Sequence, residues 1–131
     1  MKLIINTDGL SKGNPGRGAI GAILRDTKGL VVATVSQSIG MSTNNEAEYK
    51  ALIASLQKAV KLGCKQVEIR SDSELMVNQI KGLYKIKSVG LRPLYLEACT
   101  LLNRFESVSI CHVPREQNTE ADALANDALK K

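Results

Sequence analysis

The sequence predicts an α/β fold: a five-stranded mixed sheet, with three antiparallel strands followed by parallel ones, flanked by helices. Three observations carry this expectation. Residues 2–8 alternate, with Leu3, Ile5 and Thr7 to one side and Ile4, Asn6 and Asp8 to the other, which is the period of a strand. Two further strand-like runs, 18–25 and 30–39, flank the turn signal Asp26-Thr27-Lys28-Gly29 and form a hairpin, so the first three strands make an antiparallel meander. Beyond residue 43, helical periods alternate with short apolar runs, and strands separated by helices pair in parallel through right-handed crossovers.

The later elements follow in order. Tyr49, Leu52, Ile53, Leu56 and Val60 have helical spacing. Thr43 with Glu46 forms a capping box at the start of that helix, and Gly63 closes its end. Val67 to Ser71 reads as the fourth strand. A second helix follows with Leu75, Met76, Ile80 and Leu83 on one face, interrupted by Gly82 and the stretch to Gly90 (GLYKIKSVG). Residues 92–103 are helical again and 108–113 are the fifth strand. Residues 119–130 make the last helix, with Ala121, Leu124, Ala125, Ala128 and Leu129 aligned.

Length and composition narrow the function classes. A chain of 131 residues, 44% hydrophobic, is expected to form one domain over 1–131 and to bury a core without metal or disulfide staples. The net charge of +5 favours an anionic partner and equally fits a solvated basic surface. Tyr49, Tyr84, Tyr95 and Phe105 are too few for base stacking to be the main mode of nucleic-acid binding, so backbone contacts are expected to dominate. Cys64, Cys99 and Cys111 show no metal-binding spacing and read as small buried hydrophobes in a reducing compartment. Asn6 and Asp8 end the first apolar run too early for a signal peptide, and no segment approaches membrane-spanning length. A cytoplasmic location is expected.

Gly16-Arg17-Gly18-Ala19-Ile20-Gly21 matches GxGxxG, but the context is wrong for a dinucleotide site. That fingerprint needs a strand before it, a helix after it and an acid about 20 positions on. Here its second half lies within a strand-like segment, and the next acid, Asp26, is in the hairpin turn. Asn14-Pro15-Gly16 reads as tight-turn chemistry instead.

Four acids sit at strand ends or helix starts. Asp8 and Asp72 are expected to end the first and fourth strands. If those strands are parallel neighbours, both lie at the carboxyl edge of the sheet, where open α/β sheets bind ligands. Taken singly, Asp8 is an Asx turn with Gly9, and Asp72 a helix cap. Glu46 and Glu48 flank opposite edges of the apolar face of the first helix, and geometry alone does not choose between them. The capping box already employs Glu46 and leaves Glu48 without a structural duty. Asp122, cap-like after Thr119, lies beside Leu129 at the edge of a buried stripe, a costly place for a charge without a cation. Carboxylates packed together repel one another. A pair of Mg²⁺ ions, with Mn²⁺ as substitute, removes that cost and gives the cluster a use in phosphodiester hydrolysis.

At this point "TDGLSKGNPG", "TNNEAEYKAL", "IRSDSELMVNQIKG" and "HVPREQNTEADALA" follow, in order and spacing, the four landmarks of a known family. The chain resembles type 1 ribonuclease H over essentially its whole length, and in its shortened loop it is similar to the compact archaeal and bacterial subgroup. The resemblance implies Asp8, Glu48, Asp72 and Asp122 as catalytic, metal-binding carboxylates, and it selects Glu48 over Glu46. It implies a fold of that family and endonucleolytic cleavage of the RNA strand of an RNA–DNA hybrid, leaving 5′-phosphate and 3′-hydroxyl ends. Two Mg²⁺ per site are implied in the substrate complex. The nucleic-acid-binding positions it implies are Gly9, Ser11, Asn14, Thr43, Asn44, Asn45, Glu74, Lys85 and Lys87, with Asn44 and Asn45 meeting the duplex where 2′-hydroxyls are displayed.

The chain departs from the family pattern in two places. The family's flexible histidine-bearing loop is shortened to Pro114-Arg115-Glu116-Gln117, and His112, the single histidine, falls in the last strand. Arg115 is the expected substitute near the scissile phosphate; it stabilises charge but does not shuttle protons at neutral pH. The family's basic protrusion is reduced to Lys81, Lys85, Lys87 and Arg92, which fit a solvated surface equally well. The partner expected is the hybrid duplex, bound by a monomer and by no membrane. Double-stranded RNA as a further substrate, and a module that binds hybrid without cutting, are the alternatives. Concentrated negative charge where phosphates must approach argues against a pure binder.

Overall fold

The computed structural model describes residues 1–130; Lys131, the last residue of the expected domain, lies outside the described residues. The element order is β1 (Lys2–Gly13), β2 (Gly16–Arg25), β3 (Val31–Ser42), α1 (Asn44–Lys61), β4 (Gln66–Ser71), α2 (Glu74–Ile80), α3 (Arg92–Leu102), β5 (Ser107–His112) and α4 (Thr119–Leu129). A short 3₁₀ turn, Arg115–Gln117, precedes α4. The strands form one sheet in the order β3-β2-β1-β4-β5, antiparallel across β3-β2-β1 and parallel across β1-β4-β5, as the hairpin signals and intervening helices require.

Alternation along β1 sends its side chains to two different layers. Leu3 and Ile5 face a core shared with Tyr49, Leu52 and Leu56 of α1, while Leu10 packs with Ala19, Ala125 and Leu129 on the α4 side. Thr43 and Glu46 form the expected capping box: the Thr43 hydroxyl accepts from the Glu46 N–H at 3.1 Å, and Glu46 Oε1 accepts from the Thr43 N–H at 2.9 Å. Gly63 adopts φ +75° just past α1, the left-handed conformation that ends a helix. None of the described helices is long and apolar enough to cross a membrane.

Several local expectations are corrected. β1 does not end at Asp8. It runs on to Gly13, because β2 pairs with it continuously from Ile4↔Arg25 to Gly13↔Gly16 and satisfies its backbone. Asp8 is therefore a strand residue, not an Asx turn, and the turn shrinks to Asn14-Pro15 with Gly13 at φ +103°. The second helix is only seven residues long, with Met76 and Val77 buried. Leu83 lies beyond it and is 70% exposed, because the chain leaves the helix at Gly82 before the fourth apolar position is reached. Of the cysteines only Cys64 is buried; Cys111 is exposed on β5, an edge strand with one face uncovered, and all three are free thiols.

Candidate active site

The parallel pairing of β1 with β4 stops at Thr7↔Ser71, yet β1 continues. The early end of β4 opens a notch in the sheet beside Asp8. The Gly9 N–H, with no strand partner on that side, donates to Glu48 Oε1 at 2.9 Å. Asp72 stands just past the last residue of β4. It is not spent on capping, since the Ser73 hydroxyl accepts from the Met76 N–H and caps α2 in its place.

Two glycines let the helices come close enough to deliver their acids. A Cβ on Gly9 would lie 2.2 Å from the backbone carbon of Ala47, so only glycine lets the first turn of α1 rest against β1. Gly21, the register partner of Asp8, does the same for α4: its Cβ would sit 2.2 Å from the Ala121 carbonyl oxygen. The Gly21 contact accounts for the last glycine of the misleading GxGxxG match.

Asp8, Glu48 and Asp72 each place a carboxylate oxygen within 4.8 Å of the others. Asp122 joins them in a cavity of about 320 Å³ that Leu10, Asn44 and Arg115 also line. Burial raises the Asp8 carboxyl to about 9, helped by the charge of Glu48, a hydrogen bond shared with Asp122 and the charge of Asp72. Burial and the charge of Asp72 likewise push Glu48 up to about 8, against the opposing pull of the Gly9 N–H. The donor set is all hard carboxylate oxygen, crowded so that full ionisation is opposed. It fits one or more divalent metal ions of the Mg²⁺ type, which favour oxygen and compensate the repulsion.

Beside this cavity the first turn of α1 meets the β1–β2 hairpin. Asn44 Oδ1 accepts from the Ser11 N–H at 2.9 Å, and Asn14 Oδ1 accepts from the Asn44 N–H at 3.1 Å. Both carboxamide oxygens are thereby occupied, which leaves two exposed NH₂ groups as outward donors. Ser11 Oγ also donates to the Gly13 carbonyl. Thr43, Asn14 and Asn45 line an adjoining depression of about 260 Å³, and the Thr43 hydroxyl, an acceptor in its cap, retains a proton to donate. Lys85 and Lys87 line a larger groove of about 490 Å³ together with Asn45. Glu74 is exposed in the first turn of α2 and lines none of these cavities. His112 is exposed on β5 opposite Ser71 and does not line the carboxylate cavity, whereas Arg115 does.

Sequence reasoning missed Asn118. Its position ahead of Thr119 suggests a cap, but its side chain makes no capping bond. It is 1% exposed, donates to the Thr7 carbonyl at 2.8 Å and accepts from Asn6 at 3.1 Å, tying the start of α4 to β1 beside Asp8. The signal was an asparagine at a helix start; its tertiary use outcompeted the local one.

A profile of the family described as "Reverse transcriptase-like" matches residues 6–128. Ribonuclease HI of Halobacterium salinarum is 46% identical over 122 residues, covering 93% of this chain and 61% of that protein. The crystal structure of that organism's RNase H1 superposes with a TM-score of 0.97 at 43% identity, covering 99% of this chain and 98% of that one. The chain belongs to the type 1 ribonuclease H family. The "Bifunctional protein Rv2228c" of Mycobacterium tuberculosis is 45% identical over 130 residues, which are 98% of this chain and 36% of that protein. The chain thus spans about a third of the length of the mycobacterial relatives it matches. LC11-RNase H1, isolated from compost by a metagenomic approach, has been solved in complex with an RNA/DNA hybrid. It superposes with a TM-score of 0.92 at 40% identity, covering 98% of this chain and 96% of that one.

Proposed function

We propose that the chain is a metal-dependent endoribonuclease that cleaves the RNA strand of RNA–DNA hybrids, leaving 5′-phosphate and 3′-hydroxyl ends. The observation that carries the reading is the convergence of Asp8, Glu48, Asp72 and Asp122 on one open cavity beside a row of outward amide donors. Asp8, Glu48, Asp72 and Asp122 would hold two Mg²⁺ ions, with Mn²⁺ as a substitute. When bound, the pair supplies Lewis-acid activation of the attacking water and charge neutralisation at the leaving oxygen.

The chain's own residues do the rest. Gly9 orients Glu48 through its N–H, and Asn118 holds α4 so that Asp122 faces Asp8. The free NH₂ groups of Asn14 and Asn44, with Asn45 beside them, donate to sugar and phosphate oxygens of the duplex, a contact that reads 2′-hydroxyls and A-like shape without base sequence. Thr43 donates to a phosphate. Lys85 and Lys87 steer the backbone along their groove. Arg115, on the rim of the carboxylate cavity and free of any ion pair among the described residues, stabilises charge on the scissile phosphate. The reading extends to a monomer and to a cytoplasmic location; the three free thiols fit a reducing compartment.

The deciding test is cleavage of a labelled hybrid under a Mg²⁺ and Mn²⁺ titration, with an RNA duplex in parallel. Asp8→Asn and Asp72→Asn are each expected to lower hybrid cleavage by at least about a hundredfold while circular dichroism stays native. Retained turnover in either purified variant overturns the reading.

A further inference from the structure

Outside the carboxylate cavity, two buried polar side chains bond to each other. The Tyr49 hydroxyl donates to Gln79 Oε1 at 2.7 Å, with the residues 1% and 4% exposed. Gln79 Nε2 in turn donates to the Lys85 carbonyl at 3.4 Å. Burial pushes the Tyr49 phenol up from its ordinary value, so it stays a donor throughout the working range. A leucine or methionine at position 79 would extend the buried face of Met76 and Val77 but would leave the Tyr49 hydroxyl without its acceptor. A buried amide there is costly unless its hydrogen bonds are made.

The segment these bonds reach has little else to hold it. After α2, the N–H groups of Gly82, Leu83 and Tyr84 return to the Gln79 and Asn78 carbonyls at 3.1, 2.8 and 3.2 Å. Beyond Tyr84, the described residues show no backbone–backbone hydrogen bond for Lys85, Ile86 or Lys87. Ile86 packs partly on the core, and the side chains on either side of it are the two lysines of the groove shared with Asn45. The Gln79 amide is the polar tether of this stretch. Its far end is anchored on α1, the helix that also delivers Asn45 and Glu48.

We infer that Gln79 is a positioning residue for duplex binding: braced by Tyr49, it holds the Lys85 carbonyl and so sets where the Lys85 and Lys87 ammonium groups stand along the groove beside Asn45. The inference rests on the proposed reading of the chain as a hybrid-cleaving enzyme and adds to it a buried residue that touches no substrate. It assigns Gln79 to affinity for the duplex and not to the chemical step.

The test uses the full chain and the variant Gln79→Leu. Hybrid affinity measured by fluorescence anisotropy in EDTA is expected to weaken about tenfold. The slope of log affinity against log salt is expected to become shallower by up to about two phosphate contacts, a change that general destabilisation does not produce. Turnover at saturating hybrid in Mg²⁺ stays within about twofold of wild type, so the loss appears in KM. Amide hydrogen exchange across residues 82–88 speeds up. Gln79→Glu, which still accepts from Tyr49 but when ionised cannot donate to Lys85, is expected to share the defect. Should Gln79→Leu fail to fold, Tyr49→Phe, which keeps the ring and loses the donor, is expected to shift affinity and salt slope in the same direction. Wild-type protein that neither binds nor cuts hybrid overturns the functional reading and this one with it. Wild-type activity together with unchanged affinity and salt slope in the variants, or a loss confined to kcat, overturns the positioning role alone.

Discussion

Each acid in the cavity is defined by the groups that compete for it. Glu46 and Glu48 lie two positions apart on α1, at opposite edges of its apolar face; Glu46 is consumed by the Thr43 cap and Glu48 accepts from the Gly9 N–H at the notch in the sheet. Asp72 escapes capping because Ser73 takes that role. Arg115 has the opposite character, a permanent cation lining the same cavity, with no ion-pair partner among the described residues. Arg115→Ala is expected to lower kcat for hybrid cleavage by about 10- to 100-fold with hybrid affinity in EDTA unchanged. An unaltered kcat would remove Arg115 from the reaction and return attention to His112.

At the scale of elements, the decisive contacts are those of two helices against strands that carry glycine. α1 rests on β1 at Gly9 and α4 rests on β2 at Gly21; in both cases a Cβ would lie 2.2 Å from helix backbone, well inside any real contact. Backbone cannot yield as a flexible side chain does, so Gly9→Ala must push the first turn of α1 outward. The expected cost is about 1–3 kcal/mol, read from the urea midpoint. Cleavage is expected to fall further than this loss of folded protein accounts for, because Glu48 and Asn44 move with the helix. A variant with wild-type activity and stability would show that the close approach is not needed. The same scale explains why some elements were legible and others were not. α1 has an apolar period, a capping box and a glycine stop within one stretch of chain, and the observed helix matches them. The end of β1 was not legible, because whether a glycine-rich strand continues depends on its pairing with β2.

For the whole molecule, gathering like charges in a partly buried cavity couples stability to pH and to metal. Asp8 titrates from an ordinary 3.8 to about 9 in the fold, and Glu48 from 4.5 to about 8. Between the ordinary and raised values the folded state holds protons that the unfolded chain has released, so unfolding free energy falls as pH rises. The contribution is present in full below the ordinary values and is gone above the raised ones. In EDTA, the urea midpoint is therefore expected to decline from about pH 4 to about pH 9. Added Mg²⁺, binding only the folded state, is expected to restore stability at the alkaline end, and Asp8→Asn to flatten the decline. A midpoint that rises with pH in EDTA, or ignores Mg²⁺, would mean the cluster does not behave as a metal cradle.

What the sequence determined by itself was local or collective. Strand alternation, the Asp26–Gly29 turn, the capped first helix and the mixed, antiparallel-then-parallel character of the sheet all follow from patterns a few residues long, repeated in the right succession. The four acids were legible only as a set, through four landmarks in series, since each alone had an ordinary turn or cap reading. The tertiary structure decided the rest. It set the strand order, ended β4 at Ser71 while β1 ran on, tied the Asn118 side chain to Thr7, left Leu83 and Cys111 exposed, and joined Tyr49 through Gln79 to Lys85. The physical reason is that a propensity acts between near neighbours in the chain. The hydrogen bonds and close contacts that build this site join residues far apart in sequence, and their geometry exists only once the layers have packed.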